Sequence, residues 1–177
     1  FSRNVLGLEA SATELNPKLK IVIPRNLKHV YAKSLVFISD TLYFSNNKQL
    51  NKVIRFKEEA YPTSFAPSDQ QRIFSIALNG NQIYISTLKT VYKLEQDTLI
   101  PVESFVNTPF RKFQFFQGVL VGITHDYQLI VGFPTSKENQ FRIQIILEDC
   151  SWMDMNYIFH SNVLMRSDKG YYILNIS

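Results

Sequence analysis

The chain has one cysteine, one tryptophan and six glycines in 177 residues, and each scarcity removes a class of explanation. A lone Cys150 cannot close an internal disulfide and has no companion thiol for a zinc site, so an intracellular location, cytoplasm or nucleus, is the expectation. The Asn175-Ile176-Ser177 sequon lies inside a strand-like run, where chance explains it. No apolar run approaches the ~18 residues that a membrane helix needs, so no membrane partner is expected. Phosphate-cradling glycine loops are missing, both Gly-x-Gly-x-x-Gly and the P-loop, and so is the Gly-x-Ser-x-Gly elbow of a serine hydrolase. His29, His125 and His160 are far apart and lack a partner at metal-ligand spacing. The acidic pairs Glu58-Glu59 and Glu148-Asp149 sit in loop-like stretches, where solvation accounts for them. The reading is therefore of a non-enzyme, with no catalytic, cofactor or metal residues.

What the chain does have is strands. Hydrophobic residues make up 45% and aromatics 14%, with 14 Phe and 9 Tyr, a composition suited to pleated, half-buried surfaces. The stretch Arg72 to Asp97 sets the pattern. Ile73–Leu78 and Gln82–Thr87 flank Asn79-Gly80, whose residue types suit a type I′ hairpin turn with positive φ at both central positions. A third run, Thr90–Leu94, ends at Gln96-Asp97 and returns at Thr98.

Similar units recur along the chain, with hairpin turns placed at Asp40, Gly80, Asp126 and Lys169, intervals of 40, 46 and 43 residues. A four-stranded unit repeating at that period predicts an all-β β-propeller, or a partial one, of about four antiparallel meander blades. The units are expected near 18–60, 61–107, 108–150 and 151–177, in one domain spanning 1–177 that forms part of a longer propeller or a small ring. Smaller elements are a short helix around Ala10–Leu15, a short strand at Lys20–Ile23 stopped by Pro24, and a helical turn in Glu148–Asn156. Trp152, Met153 and Met155 are expected as wedges between blades.

FSRNVLGL at 1–8 resembles the motif that closes one repeat and opens the next in RCC1-like propellers, with Phe1, Asn4 and Gly7-Leu8 matching in kind. The hairpins ISDTLYFSN, LNGNQIYIST, ITHDYQLIVGF and MRSDKGYYILN are similar to that family's recurring hairpin. The resemblance implies partners such as small GTPases or chromatin-associated factors. WD40 repeats share the period, but Gly-His and Trp-Asp pairs are missing. QIYISTLKTVYKLEQDTL is also similar to hairpins of sensor-type propellers, which leaves a ligand-sensing domain of a signalling receptor open as the alternative.

Charge is uneven. Residues 1–60 hold ten Lys or Arg against five acids, about +5, while the remainder carries about −1. The candidate protein-binding residues are the basic group Lys18, Lys20, Arg25 and Lys28 and the cluster Phe110, Arg111 and Lys112, facing a partner that is itself acidic. PFRKFQFF at 109–116 mixes cations and rings as single-stranded nucleic-acid sites do. Strand alternation turns part of it inward, so nucleic acid is not the expected partner. An adapter that scaffolds another protein outranks a guanine-nucleotide exchange factor, which would need a wedge loop.

Overall fold

The computed structural model describes residues 34–46, 48–54, 63–159 and 161–176. Four antiparallel meanders follow one another. The first runs β1 (Ser34–Ile38), β2 (Thr41–Asn46), β3 (Gln49–Ile54), β4 (Thr63–Phe65); the second β5 (Ser75–Asn79), β6 (Gln82–Ser86), β7 (Val91–Glu95), β8 (Thr98–Pro101). The third comprises β9 (Phe110–Phe116), β10 (Val119–Thr124), β11 (Leu129–Pro134) and β12 (Phe141–Leu147), and the fourth β13 (Met153–Phe159), β14 (Asn162–Ser167) and β15 (Gly170–Asn175). The all-β expectation holds. Among the described residues, helix is confined to a single 3-10 turn, Glu103–Phe105. No helical turn forms in Glu148–Asn156; that segment carries the start of β13 instead. The helix at 10–15 and the strand at 20–23 lie outside the described residues.

Turn placement differs from the expectation in three of the meanders. Asn79 pairs with Gln82, so the loop is Gly80-Asn81, and only Gly80 of the two has positive φ, at 57°. Glycine at the first central position with an ordinary second residue is the II′ pattern, not I′. A I′-type pair with both φ positive occurs at Gln96-Asp97 and at Gln117-Gly118. The latter splits the run KFQFFQGVLVGIT into β9 and β10, so Asp126 belongs to the second turn of its sheet. Lys169 is likewise in a second turn, between β14 and β15. First strands begin at Ser34, Ser75, Phe110 and Met153, 41, 35 and 43 residues apart. The first sheet also extends past residue 60, because β4 pairs with β3.

Each junction between successive sheets has its own core. Ile76, Ile85 and Tyr92 share one face of the second sheet and pack with Leu50 and Phe65 of the first. Ala77 and Tyr84 on the opposite face meet Phe110, Phe113, Leu120 and Ile130 of the third sheet. Val121, Ile123, Leu129 and Val131 turn the other way, onto Met153, Met155, Val163 and Met165. The two middle sheets are thus covered on both faces, which explains why VLVGIT and LIVGF are continuous apolar runs rather than alternating ones. Met153 and Met155 are wedges between sheets, as expected; Trp152 is exposed and lies under Arg166, 5.9 Å from its guanidinium carbon.

Between the second and third sheets the filling is aromatic. Phe105, Phe110 and Phe113 are fully buried, with ring centroids 5.6 Å apart for Phe105–Phe110 and 5.8 Å for Phe110–Phe113. Gly122 makes the space: a Cβ there would stand 2.4 Å from the Phe110 ring. A bulge at Ile123/Thr124 shifts the β9–β10 register and sets Phe110 opposite Thr124. Ser86 Oγ then closes the junction, accepting from Phe110 N at 3.1 Å and donating to Phe110 O at 2.8 Å.

Every junction also carries a lysine clasp. Lys52 reaches Asp97 at 2.8 Å from the first sheet to the second, Lys93 reaches Glu138 at 3.4 Å from the second to the third, and Lys112 reaches Asp154 at 3.1 Å from the third to the fourth. Lys93 is the most enclosed, its side chain 10% exposed and held also by Glu95 at 2.6 Å. Burial alone would lower its pKa, but the bond and charge of Glu95, helped by Glu138, leave it raised. For Asp154 burial pushes the carboxyl upward, and the hydrogen bond and charge of Lys112, the Met155 N–H and Arg166 outweigh it, so the pKa is lowered.

Two outcomes test this account. Gly122→Ala is expected to destabilise the protein by about 1–3 kcal/mol in urea unfolding, through overpacking against Phe110; an unchanged midpoint contradicts the close seat. A carboxylate with a depressed folded pKa contributes stability above the unfolded aspartate value and loses it as pH falls through the folded one. Asp154→Asn is therefore expected to flatten part of the decline in stability below about pH 4, by less than about 1 kcal/mol because the pair is partly exposed.

Candidate functional site

The first strands of the sheets lie next to one another. β1 contacts β5, and β5 contacts β9; Ile76 N donates to Ser34 Oγ across the first of these contacts, at 3.4 Å. Each of these strands is the terminal strand of its own sheet, so its outer backbone edge is not used by a neighbour in the ladder. Where they converge, a groove of about 520 Å³ opens, lined by Val36, Ile76, Ala77, Leu78, the Gln114–Phe116 end of β9 and Gln117 in the turn after it. None of the lining residues is charged. Exposed Gln114 and Gln117 supply side-chain donors and acceptors, and Val36, Leu78 and Phe115 supply apolar wall.

At the opposite end of β5 and β9 a second feature forms. Arg111, exposed at the start of β9, lies over the Tyr127 ring, its guanidinium carbon 5.1 Å from the centroid, and donates to the Tyr127 hydroxyl. Arg72, just ahead of β5, lies over Phe74 at 5.4 Å. Phe74 meets His125 edge to face, with centroids 4.3 Å apart. Burial lowers the His125 pKa, the charge of Arg111 lowers it further, and Asp126 opposes both. His125 Nε2 is shielded from solvent and has no hydrogen-bond partner.

The residues singled out from the sequence meet different fates. Phe110 is fully buried between sheets and cannot touch a partner. Its position next to two cations in sequence suggested a surface cluster, but the bulge turns its ring inward. Lys112 is engaged in the clasp to Asp154 and also donates to Met155 O. Arg111 is exposed and has no ion-pair partner among the described residues. Lys18, Lys20, Arg25 and Lys28 lie outside the described residues. Sequence reasoning missed the groove, and it missed Arg72, Phe74 and Tyr127 as companions of Arg111. Each set joins segments tens of residues apart, 36 with 76–78 and 114–117 in the groove and 72–74 with 111–127 at the other end, and that joining depends on first strands of successive sheets lying together.

No family model matches the chain, and no curated protein matches it. A solved structure does. The crystal structure of the computationally designed Ika4 protein is similar with a TM-score of 0.64 at 10% identity, covering 84% of this chain and 92% of that one. At that identity the likeness shows the fold alone. No helix among the described residues is long and apolar enough to cross a membrane, and none of their His, Cys, Asp and Glu side chains gather into a group that could hold a metal ion.

The electrostatics at His125 are directly measurable. Arg111→Ala is expected to raise the imidazole pKa in an NMR titration, toward the ordinary histidine value but still below it, because the burial contribution remains. An unmoved titration would mean that the Arg111 charge is screened from the ring.

Proposed function

We propose that the chain is a partial β-propeller of the RCC1-like kind that its hairpins resemble, and that it works as a non-catalytic scaffold holding another protein. The observation that carries this reading is the uncharged groove lined by β1, β5 and β9. Cores and clasps at each junction make its walls stiff, and a stiff frame of terminal strands, their outer edges only partly engaged by Ser34 and Ser86, suits an extended segment of a partner whose side chains enter the apolar floor. The adjacency of the first strands supports the propeller arrangement, since blades placed around an axis bring those strands together. From the resemblance, a small GTPase or a chromatin-associated factor is the partner class to try first, and an adapter role stands ahead of exchange activity. Groove size favours a second reading, a ligand-sensing domain, because the volume falls in the range of small-molecule sites.

Affinity capture from the native cell, comparing the unaltered chain with Gln114→Trp, tests the groove. Gln114 is exposed, so the indole fills the groove without entering a core. A protein retained by the unaltered chain and reduced about tenfold by the variant is expected. Equal recovery with both removes the groove as the holding site. If the partner is a GTPase, an unchanged nucleotide-release rate supports the adapter and an accelerated one the exchange factor. A small molecule that raises the melting temperature of the unaltered chain but not of Gln114→Trp supports sensing.

A further inference from the structure

The cations nearest the sheet junctions differ in what holds them. Lys52, Lys93, Lys112 and Arg166 each sit within ion-pair distance of a carboxylate. Arg72 and Arg111 do not; among the described residues neither has an acidic partner, and each is laid instead on an aromatic ring. A ring beneath a guanidinium restrains its plane and shields one face, yet leaves the N–H edge open, which is the edge that binds carboxylates two bonds at a time. Phe74, which carries Arg72, packs on His125, and Tyr127, which carries Arg111, follows two residues later in the same turn, so the two stacked arginines belong to one surface rather than to separate patches. Burial and the charge of Arg111 lower the pKa of that imidazole, and Asp126, which opposes both, stands exposed beside it.

We propose that this surface, Arg72, Phe74, His125, Arg111 and Tyr127, is a docking site for an acidic linear segment of a partner protein, with carboxylates received by the two guanidiniums. Charge complementarity identifies the occupant: restrained guanidinium forks with no carboxylate of their own among the described residues receive carboxylates from elsewhere. The rings are partly buried, each engaged by its own arginine or by His125, so they leave little open π-face on which nucleic-acid bases would stack. The site deepens the scaffold reading by naming a partner chemistry, but it lies at the other end of β5 and β9 from the groove and can fail or stand independently of it.

A fluorescein-labelled octaglutamate peptide titrated into the full chain at low salt, followed by anisotropy, tests the site. Saturable binding is expected, weakened about tenfold in the Arg72→Ala/Arg111→Ala double variant, since two exposed ion-pair contacts are lost. Arg142→Ala, which removes a guanidinium stacked on Phe133 on a different strand, is expected to leave binding unchanged. Gln114→Trp is also expected to bind the peptide normally, which separates this site from the groove. Melting curves of all variants confirm that they fold. Octaglutamate binding insensitive to the double variant overturns the proposal. So does labelled oligo-dT that binds as tightly as octaglutamate with the same dependence on Arg72 and Arg111, because the surface would then read phosphate backbones.

Discussion

Apolar surface left on both faces of a small meander is the constraint under which the rest of this structure is built. A sheet of three or four short strands has no inside of its own, so each face must find cover on the next sheet. The two middle sheets succeed on both sides, and their strands read as uninterrupted apolar runs. The last sheet is covered on one side, and its far face shows Tyr171 at 79% and Ile173 at 70% exposure. The same requirement explains the aromatic filling: three buried phenylalanines occupy the space between the second and third sheets, and one of their rings takes the place of a Gly122 side chain.

The lysine clasps add direction to this non-directional burial. Hydrophobic contact alone would tolerate sliding of one sheet over another, whereas Lys52–Asp97, Lys93–Glu138 and Lys112–Asp154 each pin one strand to a defined neighbour. Partners in the three pairs are 45, 45 and 42 residues apart. The repeat is thus visible in the ion pairs as well as in the strands. The first strands lie adjacent across the same junctions, and the groove and the arginine surface are products of that adjacency.

Strand content, the meander order and a period near 40 residues were legible from runs of Ile, Val, Leu and Phe broken by polar dipeptides. Gln96-Asp97 was legible as a turn. Gln117-Gly118 was not, because glutamine is a poor guide to a positive φ, and the flanking KFQFF and VLVGIT join into one apolar stretch. Phe110 misled for a related reason: alternation presumes a regular ladder, and the bulge breaks it. Tertiary sites were illegible. Nothing near Arg72 in sequence announces that Phe74 will meet His125 some fifty residues later, because that meeting is decided by how one sheet leans on the next.

The cores are strung in a row rather than merged into one. Among the described residues each outer sheet meets one neighbour and each middle sheet two, so removing an outer sheet uncovers one face of the next. The surface between Arg72 and Arg111 straddles the aromatic-filled central seam, so it exists only while the second and third sheets are docked, and any event that parts them dismantles it.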